Sequence, residues 1–147
     1  VGVLLRVPSH MSYNVTVADR SGQYRTVEVA PDRKPMISEL GYATNHQGKI
    51  DWKDSHDINK TGERATFLHA ILNRGFSIEK LTQVFLKPPL YNTNFAEGYG
   101  TLYTAVYKPI EGLVELHWPY QKMVQTFDHF IEEHRVITYK HHKSLAV

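Results

Sequence analysis

The clearest pattern in the chain is an alternation of apolar and polar side chains over "MSYNVTVA", residues 11–18. A period of two that uses aromatic and β-branched residues is typical of a strand with one buried face. The turn cluster "DRSG" follows, and Tyr24 to Ala30 resumes the strand pattern. We therefore predict a β-hairpin over residues 11–30, followed by a third and less regular strand from Met36 to Thr44.

The middle of the chain changes to the period of an α-helix. Between Thr61 and Asn73 the non-polar positions recur every three or four residues, which predicts a helix with one buried stripe. The stripe consists of Arg64, Phe67, Leu68, Ile71 and Leu72. Gly75 suits the position just after this helix. Ser77 is a suitable cap for a second helix, which the proline pair at 88–89 ends.

Strand patterns return near the end of the chain. Thr101 to Tyr107 and Leu113 to Trp118 predict a second hairpin, with its turn at Lys108 to Gly112. The tail "MVQTFDHFIEEH" is weakly helical, and residues 120–147 receive no assigned place in the fold. The polar stretch from Gln47 to Lys60 predicts a surface loop.

The order of the elements indicates the fold class. Strands and helices are segregated along the chain, and each strand pair is a hairpin. This arrangement favours an α+β fold with antiparallel sheets over a parallel sheet with crossover helices. A length of 147 residues fits one domain with its own core, so we expect a single domain over residues 1–147.

Composition narrows the classes of partner. Seventeen basic and 15 acidic residues are mixed along the chain and give a net charge of +2, without the basic stripe of nucleic-acid binders. No apolar segment approaches the roughly 20 residues that span a bilayer. No signal peptide is recognisable. We therefore expect no nucleic-acid partner, no membrane partner and, by default, a cytoplasmic location.

Two polar residues stand out as candidates for chemistry. Arg64 shares the apolar stripe of the first helix, where an unpaired guanidinium would cost several kcal/mol. Its head group either escapes to water from the first turn or borders a pocket and orients a polar partner. Asn45 ends the third predicted strand, where an amide either caps a turn or donates a hydrogen bond to a developing oxyanion.

Other kinds of site have less support. The chain contains no cysteine, which excludes disulfides and thiolate metal ligands within these residues. His129 and His134 lie five positions apart, which does not align them on one helix face, and no H-E-x-x-H motif occurs. No G-x-S-x-G elbow and no phosphate-binding glycine loop is present. We predict no metal and no cofactor.

Four separated segments together carry a family resemblance. They are "VPSHMSYNVTVADRSGQYRTVEVAPDR", "YATNHQG", "ERATFLHAIL" and "GTLYTAVYKPIEGLVELHWP". Over about Val3 to Pro119, in this order, the chain resembles the C-terminal part of the acyl-coenzyme A:6-aminopenicillanic acid acyltransferase-like family. These are autoproteolytic acyltransferases and amide hydrolases related to choloylglycine hydrolases and penicillin V acylases.

The resemblance implies an N-terminal-nucleophile hydrolase fold, in which two antiparallel sheets are sandwiched between helix layers. In such enzymes a cysteine exposed by self-cleavage attacks an amide or thioester carbonyl, with its own α-amino group as the base. The resemblance further implies that Asn45 helps to form the oxyanion hole. It also implies that Arg64, which opens the following helix, organises the surroundings of the nucleophile.

The missing cysteine sets up two hypotheses. In the first, the chain is the C-terminal part of an amide hydrolase or acyltransferase, as a fragment, a subunit or a truncated relative. Its partners would be an upstream segment that carries the nucleophile and a small-molecule amide or acyl donor. In the second, it is a non-catalytic α+β module for binding or assembly. Missing upstream strands would leave sheet edges uncovered, so self-association into a homo-oligomer is a further expectation.

Overall fold

A computed structural model describes residues 1–19, 21–48 and 59–139. In this part of the chain two antiparallel three-stranded sheets and two α-helices form an α+β structure, as the sequence predicts. No described helix is long and apolar enough to cross a membrane. The elements are β1 (Tyr13–Ala18), β2 (Tyr24–Ala30), β3 (Arg33–Ser38), α1 (Thr61–Leu72), α2 (Ile78–Val84), β4 (Thr104–Lys108), β5 (Leu113–Trp118) and β6 (Gln121–Thr126).

The chain divides into two compact units, Val1–Phe76 and Ser77–Val147. Each unit contains one sheet and one α-helix. The expectation of a single domain stays a prediction.

The predicted first hairpin is confirmed as β1 and β2, which pair antiparallel with Val15 opposite Val27. β3 adds on the other side, with Ile37 opposite Val27, so β2 is the central strand. Val27 and Thr26 point to opposite faces of the sheet and are 0% and 1% exposed. The core of the first unit therefore lies on both faces of β2.

The turn between β1 and β2 is held by one carboxylate. Asp19 Oδ1 accepts hydrogen bonds from the Ser21 hydroxyl at 2.6 Å, the Ser21 amide at 2.8 Å and the Gln23 amide at 3.1 Å. The hydrogen bond from the Ser21 side chain is the main cause that lowers the pKa of Asp19. Gly22 adopts φ +84°, which non-glycine residues avoid.

The third strand begins and ends earlier than its predicted range of Met36 to Thr44. β3 runs over Arg33–Ser38 and includes Pro35, whose ring removes a backbone donor. Proline is tolerated there because β3 is an edge strand of the sheet formed by the described residues. The pairing is also irregular opposite it, since the register shifts between Glu28 and Ala30 of β2.

The predicted helices are present. Leu68 and Ile71 of α1 are each 4% exposed, whereas Phe67 and Leu72 are half-buried, so the centre of the apolar stripe is buried. Ser77 caps α2, where its side chain accepts a hydrogen bond from the Lys80 amide at 3.3 Å. Gly75 takes a left-handed φ of +62° just after α1, in line with the predicted end of that helix.

The second sheet contains a strand that the sequence pattern missed. β4 and β5 form the predicted second hairpin, and β6 pairs with β5 after the short turn at Pro119 and Tyr120. The prediction of a weakly helical tail over residues 123–134 is therefore wrong at residues 123–126, which belong to β6, and the residues from 127 to 139 contain no regular element. Two further histidines of the tail, His141 and His142, lie outside the described residues.

An ion-pair cluster crosses one face of the second sheet around Glu115 of β5. The carboxylate accepts hydrogen bonds from Lys108 Nζ at 3.1 Å and His117 Nε2 at 2.9 Å, and Lys122 Nζ lies 3.7 Å away. The Glu115 side chain is 15% exposed. The hydrogen bond from His117, followed by that from Lys108, lowers the pKa of Glu115 below its ordinary value of 4.5.

Replacing Glu115 with Gln should reduce the free energy of unfolding at pH 7 by about 1–2 kcal/mol, because the charge-assisted bonds are lost. A carboxyl whose folded-state pKa is lowered stabilises the fold above its unfolded-state pKa, and this contribution is lost as the pH falls through the folded-state value. The gap between wild type and Glu115→Gln should therefore narrow from pH 7 to pH 3 in urea titrations.

The matched control is Glu111→Gln. Glu111 lies 3.9 Å from the same Lys108, but its side chain is 60% exposed, and exposed pairs contribute little. This variant should stay near wild type at both pH values. An equal loss of stability in the two variants would contradict a special role for the Glu115 cluster.

Candidate functional site

The two residues singled out from the sequence lie in contact in the first unit. Arg64 Nη2 donates a hydrogen bond to Asn45 Oδ1, although the residues are 19 positions apart. Both side chains line one concavity of about 360 Å³, together with residues 12–14 of the first hairpin. The structure thus brings together the end of the segment after β3 and the first turn of α1.

The contact with Arg64 orients the Asn45 amide. A guanidinium only donates, so the amide oxygen must face it and the amide nitrogen must point elsewhere. Nδ2 donates to no acceptor among the described residues, and Asn45 is exposed. Two N–H donors are therefore presented next to a positive charge, which suits an acceptor that gains negative charge.

Asn14 of β1 holds the backbone on both sides of Asn45. Its Nδ2 donates to the carbonyl oxygen of Thr44 at 2.7 Å and to that of His46 at 2.9 Å. One side chain thereby fixes the two residues that flank the candidate donor, across 30 and 32 positions of sequence. The hairpin is in this way part of the site's scaffold.

Thr61, the first residue of α1, ties the same segment to the helix. It is 0% exposed, and its hydroxyl donates to Thr44 Oγ1 at 2.8 Å. The same hydroxyl lies 2.8 Å from His46 Nδ1. Because Arg64 follows three residues later in the first turn, these bonds set the position of Asn45 relative to Arg64.

The start of α1 is itself defined by local hydrogen bonds. The Thr61 amide donates to Asn59 Oδ1 at 2.9 Å, and the Arg64 amide donates to the Lys60 carbonyl at 2.9 Å. Lys60 has a left-handed φ of +50° and supplies no side-chain cap. The side chain of Asn59 thus satisfies a helix N–H that has no intrahelical acceptor.

Gln47 is a buried residue of the site that the sequence pattern misplaced. The prediction assigned it to a surface loop, but it is 2% exposed. Its Nε2 donates to the carbonyls of Tyr13 at 2.9 Å and Val29 at 3.1 Å, and its Oε1 accepts from Arg33. These partners lie 14 to 34 positions away, so no local periodicity signals the burial.

The histidines considered as metal ligands do not form a site in the described part of the chain. His129 and His134 are both exposed. Over residues 1–19, 21–48 and 59–139, no group of three or more His, Cys, Asp or Glu side chains is arranged to hold a metal ion.

Comparison with known families decides the relationship. The family model for acyl-coenzyme A:6-aminopenicillanic acid acyl-transferase matches residues 1–122. The chain belongs to this family. The match contains the hairpin, Asn45 and Arg64, and it agrees with the resemblance found over about Val3 to Pro119. Membership in this family indicates a function of the acyltransferase or hydrolase type.

Neither the curated proteins nor the solved structures that were searched contain a match to the chain.

Replacing Thr61 with Val keeps the shape of the side chain but removes its hydroxyl. We expect the free energy of unfolding to fall by about 1–3 kcal/mol, because the half-buried Thr44 and His46 side chains lose a partner. Chemical denaturation measures this loss. Thr66→Val is the matched control, since the Thr66 hydroxyl is exposed and donates only to the Gly62 carbonyl of its own helix. Equal effects of the two substitutions would contradict a linking role for Thr61.

Proposed function

We propose that the chain forms the C-terminal part of an amide hydrolase or acyltransferase whose nucleophile is an N-terminal cysteine on a segment outside these 147 residues. The observation that carries the proposal is the contact between Arg64 and Asn45 at one open concavity in a member of this family. The substrate would be a small molecule with an amide or activated acyl group.

Asn45 supplies the oxyanion donor in this proposal. When the cysteine sulfur attacks the carbonyl carbon, the carbonyl oxygen gains negative charge and needs donors that are already in place. The Asn45 Nδ2 group is oriented by Arg64 and has no competing acceptor among the described residues. One well-placed donor of this kind contributes roughly 3 kcal/mol to transition-state stabilisation.

Arg64 acts by position and charge. Its hydrogen bond restricts the Asn45 side chain, and its positive charge favours the thiolate and the oxyanion that form beside it. The cysteine thiol proton passes to the cysteine's own α-amino group, then to the leaving amine as the C–N bond breaks. Water or an acceptor amine takes the acyl group from sulfur in the second step.

The sheets support an N-terminal-nucleophile sandwich completed by further strands. Among the described residues, β1 and β3 pair only with β2, and β4 and β6 pair only with β5. Tyr13, Val17 and Ile37 share one face of the first sheet and are 41%, 39% and 49% exposed. The upstream segment that brings the cysteine would also cover open edges and apolar surface.

The proposal is tested by replacing Asn45 with Ala in the complete enzyme. Loss of the donor should lower the rate constant for acyl transfer about a hundredfold or more, with little change in thermal stability. Single-turnover kinetics with an amide substrate measure the chemical step directly.

The matched control is Asn94→Ala, because Asn94 precedes the 3₁₀ turn Phe95–Glu97 and its side chain makes no cap hydrogen bond there. Its turnover should equal that of wild type. Unchanged turnover in the Asn45→Ala enzyme would contradict the oxyanion role and leave Asn45 as a turn residue. Absence of any turnover by the wild-type protein would favour the alternative of a non-catalytic binding or assembly module.

A further inference from the structure

A second and smaller cavity lies behind the Asn45 segment. Its volume is about 150 Å³, and it is bounded by β2, the end of β3 and the segment from Leu40 to Gly48. Asn14, Ala43 and Thr44 line both this cavity and the larger one that contains Asn45 and Arg64. The two cavities therefore share a wall.

Glu28 of β2 places a carboxylate in the smaller cavity. The side chain is half-buried, and its Oε2 is buried without a hydrogen-bond partner among the described residues. No ion pair to Glu28 occurs in the described part of the chain either. An ionised carboxylate withdrawn from water is costly unless it is paired. Among the described residues, no positive or hydrogen-donating group satisfies Glu28 Oε2.

Asn14 contributes a second acceptor. Both hydrogen bonds of its Nδ2 go to backbone carbonyls, so the orientation of the amide is fixed and the remaining atom is the oxygen. Oδ1 is buried and accepts no hydrogen bond from any described residue. Two acceptors that line the same cavity thus have no donor among the described residues, whereas most buried polar atoms in folded proteins have one.

Glycine at position 48 leaves room beside the carboxylate. A Cβ at Gly48 would lie 3.5 Å from Glu28 Oε2 and 3.1 Å from Met36 Cε. Its backbone φ of +50° also favours glycine. The space that a side chain would fill next to Glu28 is therefore part of the cavity.

We propose that this cavity is a binding site for the ammonium group of a small amine. An ammonium carries one positive charge and three donors, which match one carboxylate and a neighbouring amide oxygen. A divalent metal is a poorer fit, because Glu28 is the one carboxylate among the described residues that line the cavity and such ions take several oxygen ligands. Water would satisfy Asn14 Oδ1 but would not neutralise Glu28.

The place of this site in a reaction rests on the proposed function. Amide hydrolysis releases an amine, and acyl transfer consumes one. An ammonium-binding cavity that shares a wall with the Asn45 concavity would recognise a second, charged amino group on that amine partner. The binding of an ammonium group to the cavity does not depend on catalysis and is testable alone.

The direct test titrates n-propylammonium chloride into the complete protein by isothermal titration calorimetry, with 1-propanol as the neutral comparison. We expect the ammonium to bind and the alcohol not to bind. Glu28→Gln should weaken ammonium binding at least tenfold. Glu39→Gln removes an exposed charge near the cavity without lining it, and it should bind as wild type does.

Stability separates a binding role from a structural one. If Glu28 is kept for a ligand, Glu28→Gln should keep or raise the melting temperature of the ligand-free protein, because it removes a half-buried charge whose Oε2 has no partner among the described residues. Absence of ammonium binding to wild type, or equal binding by Glu28→Gln, would overturn the proposal. A crystal structure soaked in n-propylammonium that shows only water in the cavity would also overturn it.

Kinetics distinguish failure of this inference from failure of the proposed function. With a diamine-derived amide substrate, Glu28→Gln should raise KM at least tenfold and leave kcat near wild type. Asn45→Ala tests the reaction itself. Unchanged turnover of this variant would contradict the proposed function but not the binding of an ammonium group, which calorimetry tests separately. If Asn45→Ala loses turnover but Glu28→Gln does not change KM, the proposed reaction is supported and the ammonium subsite is ruled out.

Discussion

The buried hydroxyl of Thr61 is the interaction on which the candidate site depends. It joins the segment that carries Asn45 to the helix that carries Arg64. Asn14 holds the same segment from the hairpin side, through two backbone carbonyls. Each of these bonds is long-range in sequence, so the site exists only when the hairpin, the segment and the helix are all in place. The arrangement of the polar groups is therefore a property of the fold and not of any one element.

The first unit uses buried polar side chains where a small domain ordinarily uses apolar ones. Gln47, Thr26 and Thr61 are among its most deeply buried residues, beside Val27. Buried amides and hydroxyls stabilise a fold only when their partners have defined geometry, so they specify one arrangement more strictly than apolar contacts do. This strictness suits a site in which an amide must present its nitrogen in one direction. It also makes the unpartnered acceptors of Glu28 and Asn14 conspicuous.

The sequence predicted the elements whose signals are local. The period-two alternation of β1 and the helical stripe of α1 depend on neighbouring residues, and both elements are present. It missed β6, because Gln125 takes a buried position that an apolar residue usually holds. The Gln125 amide is satisfied there by both backbone groups of Ile131. Asn45 and Arg64 were selected from their positions, but the network around them comes from distant partners, and their catalytic roles stay predictions.

The position of Asn14 on β1 makes the site sensitive to strand register. Side chains of a strand alternate between faces, so a shift of β1 by one residue against β2 would move Asn14 to the opposite face. The carbonyls beside Asn45 would then lose both of their hydrogen bonds, although the sheet itself would keep its strand pairing. A hairpin folded in the wrong register would resemble the native protein in secondary structure and lack the site. Correct pairing of Asn14 with Glu28 across the strands is thus a condition for function that spectroscopy of secondary structure would not detect.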